Sequence, residues 1–344
     1  MVQGFGPLTL GLAAGALAVS AGGVWVSIRF AHRAGVIDVP NERSSHAVPT
    51  PRMGGVPMVV AAVLAFGCWA LLAAGEVLSV KGLPHAMVFA VVMSVLGFWD
   101  DLAGLSPLFR FLVQIAAAIL SLYAWSTMSW LWILIGAFWV VWMLNLYNFM
   151  DGIDGLAGGE SAVASCFFFL VFAYYGETGW AAANLFIAAA SMGFLIHNWP
   201  PARVFMGDAG SAFLGAFYGM QSVVAALATP VPFLVLVLPF SNFILDTTLT
   251  LFRRMWRKEK WYQAHRTHFY QRLTDLGMSH RKVTSIELLV VVASCAAAAA
   301  CIPSGPAIRI ALVVSVAAGI ACGGLLVWGK ERATEARQKS HTGK

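Results

Sequence analysis

The chain repeatedly returns to uninterrupted apolar runs of a length that crosses a hydrocarbon layer as helix, about 30 Å in roughly 17–25 residues. Such runs lie near 6–30, 54–75, 84–99, 107–125, 128–147, 160–175, 180–197, 209–228, 231–251, 284–303 and 306–329. With 59% hydrophobic and 11% charged residues over 344 positions, an ordinary soluble globule is excluded. The sequence predicts an all-α polytopic membrane protein of about eleven transmembrane helices. Ten is the alternative count, because 84–99 is short and the division after 228 rests on the turn residues Thr229–Pro232. The first run exceeds a signal-peptide core and leads into a second, so it reads as a retained helix. Residues 1–330 form one multi-span membrane domain on this reading, with 331–344 a polar tail.

Basic residues orient the spans. If alternate loops are assigned to opposite sides, one side holds only Lys81 and Arg309 of the 22 Lys and Arg. The positive-inside rule makes the other side the cytoplasm, with the N-terminus outside and the tail inside. The formal charge of +6 then reflects topology and anionic headgroups, and no base-reading nucleic-acid module is present.

Carboxylates are costly in a bilayer, about 2.5–3.5 kcal/mol each at its centre even on insertion scales. Yet Asp38, Asp100, Asp101, Asp151, Asp154 and Asp208 all fall at span ends or loops on the inferred cytoplasmic side, an orientation obtained without them. Asp100 and Asp101 end the third span about 100° apart on the helix, so both can face one cavity, where carboxylates, water and phosphate suit a hard cation such as Mg²⁺. In DGIDG, Asp151 and Asp154 share a face if the segment is helical; Asn145 and Asn148 precede them with the same spacing. In FMGDAGS, Asp208 can cap the following helix while Gly207 and Gly210 leave backbone N–H groups open to phosphate. GxxxxGK[ST] and GxGxxG are absent, which removes support for a Walker-type NTPase or a Rossmann domain.

The long basic loop 252–283 reads largely as an interfacial segment on anionic lipid. Within it, His265 and His268 on one helix face, with Arg266 nearby, make a donor set for a diphosphate. In the first loop, 37–55, Arg43, His46 and Arg52 are candidate phosphate binders. Cys68, Cys166, Cys295, Cys301 and Cys322 lack paired spacing and read as packing residues.

Taken together, DVPNERSSHAVPTPRMGG, GFWDD, NLYNFMDGIDGLAGG, NWPPARVFMGDAGSAFLG and AHRTHFYQRL resemble, in order, the polyprenyl-phosphate N-acetylhexosamine-1-phosphate transferases. The resemblance spans residues 38–273. It implies ten or eleven transmembrane helices around a cytoplasmic cleft in the bacterial inner membrane. It also implies transfer of HexNAc-1-phosphate from UDP-N-acetylhexosamine to undecaprenyl phosphate, releasing UMP. By the same resemblance Asp208 ligates Mg²⁺, for which Mn²⁺ can substitute, and Asp100 and Asp101 lie beside the metal and the lipid phosphate. Asn148, Asp151 and Asp154 line the nucleotide-sugar cleft, Asn198 and Phe205 contact uracil, and His265, Arg266 and His268 occupy the family's His-rich loop. HRTHFYQRL is similar to the branch initiating O-antigen or capsule synthesis, not to the muramyl-pentapeptide branch with its run of histidines. Family members are often homodimers. The rival reading is a secondary transporter using acids within the membrane, of which Asp246 is the strongest example.

Overall fold

A computed structural model describes residues 6–34, 37–40, 48–72, 80, 82–260 and 265–342, with side chains through residue 332. Among them, eleven helical segments are long and apolar enough to cross a membrane. They are α1 (Pro7–Ala34), α2 (Gly55–Leu72), α3 (Leu83–Ala103), α4 (Pro107–Trp125), α5 (Trp130–Phe149), α6 (Leu156–Tyr174), α7 (Thr178–Asn198) and α8 (Asp208–Ala228). The ninth segment joins α9 (Phe233–Val237) to α10 (Ser241–Trp256); α12 (His280–Cys301) and α13 (Pro306–Thr342) complete the set. A short α11 (Phe269–Asp275) lies between α10 and α12. The only strands among the described residues are β1 (Ile37–Asp38) and β2 (Thr50–Pro51), an antiparallel pair closing the first loop. The expected all-α polytopic fold is therefore what the chain adopts.

The boundaries follow from local chemistry. Pro239 lacks an N–H and obstructs the carbonyl four residues before it, so the ninth span passes through a 3₁₀ turn at Leu238–Phe240 before continuing as α10. The third span, which looked short, reaches Ala103, placing Asp100 and Asp101 within its last turn. Gly104 ends it in the left-handed region at φ 63°, donating its N–H to the Asp100 carbonyl. Two residues later Ser106 opens α4 by accepting the Phe109 N–H, with Pro107 in the first turn.

α6, α7 and α8 form the centre. Of the apolar window of α8, 83% is buried within the protein, against 6% for α13 and 17% for α4, whose outward faces carry Leu108, Phe111 and Leu120. Central helices are held partly by hydroxyls and amides: Tyr218 bonds Ser161 and Ser165, Ser161 bonds Ser191, and Asn184 donates to Gln221. Where lipid surrounds a bundle, such internal pairing satisfies groups that have no water to turn to. Glu160 and Glu287 share the Asn242 amide in the same interior.

α3 crosses α8 closely because Gly97 has no side chain; a Cβ there would run into the Asp208 carbonyl. Ser94, one turn earlier, donates to the Ala209 carbonyl at 2.9 Å. Similarly, Gly54 and Gly55 donate to the carbonyls of Phe205 and Met206, and Phe205 donates to that of Pro51. The first loop is thereby docked on the segment leading into α8.

Candidate active site

Antiparallel succession of spans brings the C-terminal ends of α1, α3, α5, α7 and α10 together with the N-terminal ends of α2, α4, α6, α8 and α12. At this end, the close crossing of α3 and α8 sets Asp100, Asp101 and Asp208 side by side. On α3, Ser94, Gly97 and Asp101 lie on one face, so Asp101 meets the start of α8 and accepts the Ala209 N–H at 3.2 Å. The helix cap is thus not supplied as expected from the sequence. Gly207 holds the cap position at φ 75°, and the carboxylate that accepts a first-turn N–H of α8 comes from α3. Gly210, expected to offer its N–H, packs against Gly55 and donates to the Gly207 carbonyl. The Asp208 carboxylate is left to turn elsewhere.

It turns to α4 and α5. Arg110 donates to Asp208 at 2.9 Å and also to Asp100, while Asn148 donates to Asp208 at 3.0 Å and to Ser211 at 3.1 Å. Asp100 additionally accepts the Leu105 N–H. Arg52, carried in by the docked first loop, stands 3.8 Å from Asp101. Arg110 was not singled out by sequence reading, since a lone arginine in the first turn of an apolar run resembles an interfacial anchor. The available signal was its place a few residues beyond the paired acids in the next span.

Asp151 adds a fourth carboxylate. It accepts no hydrogen bond from the described residues, and burial, reinforced by Asp208 and Asp101, pushes its carboxyl well above the usual range despite Arg52. Asp154, three residues on, is the opposite. Its oxygens take the Ala202 N–H at 3.0 Å and His280 Nδ1 at 3.1 Å, and its carbonyl takes the Thr284 hydroxyl. Burial alone would raise its pKa, but His280 and the backbone N–H donors outweigh that and hold it below the usual range. The segment is a turn, not helix, so the two aspartates diverge instead of sharing a face.

Asn198 is likewise engaged: it accepts the Gly155 N–H at 2.9 Å and donates to the Val204 carbonyl at 2.8 Å. It ties DGIDG to the segment containing half-buried Phe205. Residues 265–268 precede α11 instead of lying on a helix, yet the rings of His265 and His268 stack at 4.9 Å. Burial, with His268, Arg254 and Arg253, lowers the His265 pKa to about 4, against an opposing pull from Asp246. Arg266 forms an ion pair with Asp275 at 2.8 Å. Asp246 is not joined to Arg253, which donates to the Thr267 carbonyl; it bonds His268. Arg43 and His46 lie outside the described residues.

The donor set suits a hard divalent cation. Four carboxylates face two guanidiniums, and Oδ1 of Asp101 is buried without a hydrogen-bond partner. Among the described residues no three His, Cys, Asp or Glu side chains already converge as a ligand group. Asp208, Asp101 and Asp100 are the oxygens that would hold such an ion.

The sequence model of glycosyl transferase family 4 matches residues 83–226, from α3 through most of α8. A probable undecaprenyl-phosphate N-acetylglucosaminyl 1-phosphate transferase of Bacillus subtilis is 30% identical over 285 residues, 76% of each chain. The chain belongs to the polyprenyl-phosphate N-acetylhexosamine-1-phosphate transferases. Within this transferase family, the decaprenyl-phosphate N-acetylglucosaminephosphotransferase of Mycolicibacterium smegmatis is 33% identical over 307 residues, 78% of this chain and 75% of that one. A phospho-N-acetylmuramoyl-pentapeptide-transferase of Lacticaseibacillus paracasei matches 52% of this chain at 30% identity.

Proposed function

We propose that the protein transfers N-acetylhexosamine-1-phosphate from a UDP-sugar to undecaprenyl phosphate at the cytoplasmic face of a bacterial membrane, giving polyprenyl-diphosphate-HexNAc and UMP. The observation that carries this reading is the meeting of Asp100, Asp101, Asp151 and Asp208 with Arg52 and Arg110 at one end of the spans. The names of the Bacillus and mycobacterial relatives make UDP-N-acetylglucosamine the first donor to test. A surface-glycan pathway such as O-antigen synthesis is the proposed destination of the product.

An oxygen of the lipid phosphate attacks the sugar-bearing phosphorus, and the bond from that phosphorus to the UMP oxygen breaks. With a second pKa of about 6, the attacking phosphate monoester is largely ionised at neutral pH, so no strong general base is required. The main obstacle is the meeting of two anions. Arg52 and Arg110 offset their charge, and Asn148 fixes the Asp208 carboxylate. Magnesium, when bound by Asp208 with Asp101 or Asp100, supplies Lewis-acid neutralisation of the diphosphate. Because one diphosphate is made as another is broken, excess UMP should drive the reverse reaction.

The test is UMP release by purified protein in detergent, with undecaprenyl phosphate, Mg²⁺ and a panel of UDP-N-acetylhexosamines. Release dependent on lipid and metal supports the assignment. Folded protein that releases no UMP with any donor overturns it.

A further inference from the structure

Asp246 lies inside the ninth span, buried, on the same face of α10 as Asn242 and Thr250. A carboxylate there must be extensively bonded or it is strongly destabilising. It accepts the Phe269 N–H at 2.9 Å, the Tyr270 N–H at 3.2 Å, His268 Nδ1 at 3.2 Å and the Thr250 hydroxyl at 3.1 Å. Two of these donors are the first peptide groups of α11, which otherwise lack partners within the helix. The third is a histidine side chain of the loop entering α11. One carboxylate therefore sets the backbone and the ring together.

The ring so held lies against the end of α5 that leads into Asp151. His268 stacks on Phe149, the last residue of α5, at 6.2 Å, and the Tyr270 hydroxyl donates to the Phe149 carbonyl at 2.9 Å. Asp151 follows two residues later. Glu331 of α13 grips Arg272 from the other end of α11 through two hydrogen bonds, so the segment is anchored at both ends.

We propose that Asp246 is a positioning residue of the transferase: its buried carboxylate fixes His268 in the tautomer with the proton on Nδ1 and holds the ring beside the Asp151 segment. A carboxylate can only accept, so a neutral His268 bonded to it through Nδ1 must donate there rather than accept the Gln271 N–H at the helix cap, which leaves Nε2 as the nitrogen available to a substrate phosphate proton or hydroxyl. The inference deepens the transferase reading and rests on it. Asp246 acts through His268 and does not itself touch the reacting atoms.

The test is a double-mutant cycle on UMP release, with Asp246→Asn, His268→Ala and the pair. Asp246→Asn should lower kcat by about tenfold to a hundredfold, the usual cost of losing a histidine-orienting partner, with KM for the donor nearly unchanged. In the His268→Ala background the same substitution should cost little more. An equal penalty in both backgrounds, or wild-type kcat in the single variant, overturns the proposal while the transferase reading stands. Wild-type protein that releases no UMP overturns both. The ¹⁵N signals of labelled histidine, with His268 assigned by difference, give an independent readout should Asp246→Asn fail to fold. A protonated Nδ1 in the wild type is the expected result, and a neutral ring protonated on Nε2 overturns the proposal.

Discussion

The corner where α3 meets α8 and the seam joining α10, α11 and α12 both contain aspartates, but treat them differently. In the seam, Asp246 takes two backbone N–H groups, the Thr250 hydroxyl and His268, and at its edge Asp154, in the turn before α6, takes the Ala202 N–H and His280 of α12. In the corner, Asp100 and Asp208 share one guanidinium, Asp101 keeps a buried oxygen without a hydrogen-bond partner, and Asp151 accepts no hydrogen bond from the described residues. Asp154, satisfied by backbone and His280, is a strut whose loss should register first in folding, whereas Asp246 acts on turnover through His268. Carboxylates crowded together and left incompletely bonded retain capacity for a ligand, so their loss should register in turnover.

The largest expected effect lies in the corner. Asp208→Asn should reduce UMP release on the order of a thousandfold, several kcal/mol of lost charge stabilisation, while the melting temperature in detergent holds or rises. Chelation by EDTA should likewise stop release, and added Mg²⁺ should restore it. An Asp208→Asn variant that turns over normally but melts early would invert the comparison.

Gly97→Ala should cost about 1–3 kcal/mol and depress activity as well, because the added methyl forces α3 off the Asp208 backbone. Normal activity and normal melting together would show that the close crossing does not set the corner's geometry. Asp154→Ala should lower stability by about 2 kcal/mol, leaving the Ala202 N–H and His280 without their acceptor, whereas Asp151→Asn should raise the melting temperature. If both variants melt alike, the distinction between the two aspartates fails. Since Asp154 is held below its ordinary pKa, its stabilisation is fully present above that ordinary value and disappears only as pH falls through the lower folded one.

The smallest effect concerns His265. Its folded pKa near 4 lies below the unfolded 6.5, so between these values the unfolded chain binds more protons. Stability should decline as pH falls from 6.5 towards 4, and His265→Gln should flatten that slope. Melting temperatures at pH 5 and 7 decide it; an unchanged slope would show that this histidine stays protonated when folded.

Much of the fold was legible because a bilayer admits few solutions: eleven apolar runs became eleven candidate spans, with Thr229–Pro232 separating α8 from α9. Grouping of the acids at one end also followed, since alternate span ends must share a side. What could not be read was how each acid is satisfied. Asp151 and Asp154 each follow an apolar residue and precede a glycine, and only the arrival of His280 and Ala202 from distant segments separates them. Glu160 and Glu287 gave no signal because their partner, Asn242, sits on a third helix. The helical reading of 265–268 failed because Asp246, far upstream, starts α11 at Phe269.

The clasp between Arg272 and Glu331 also has a bearing on biogenesis. Translation delivers α11 before α13, so the histidine loop enters the membrane environment before its second anchor has been made. Until α13 is inserted and Glu331 closes on Arg272, that loop is held only by α10 and the end of α5. A nascent chain therefore completes the anchoring of this loop only once α13 is in place, so insertion of that span and the ordering of the loop are coupled.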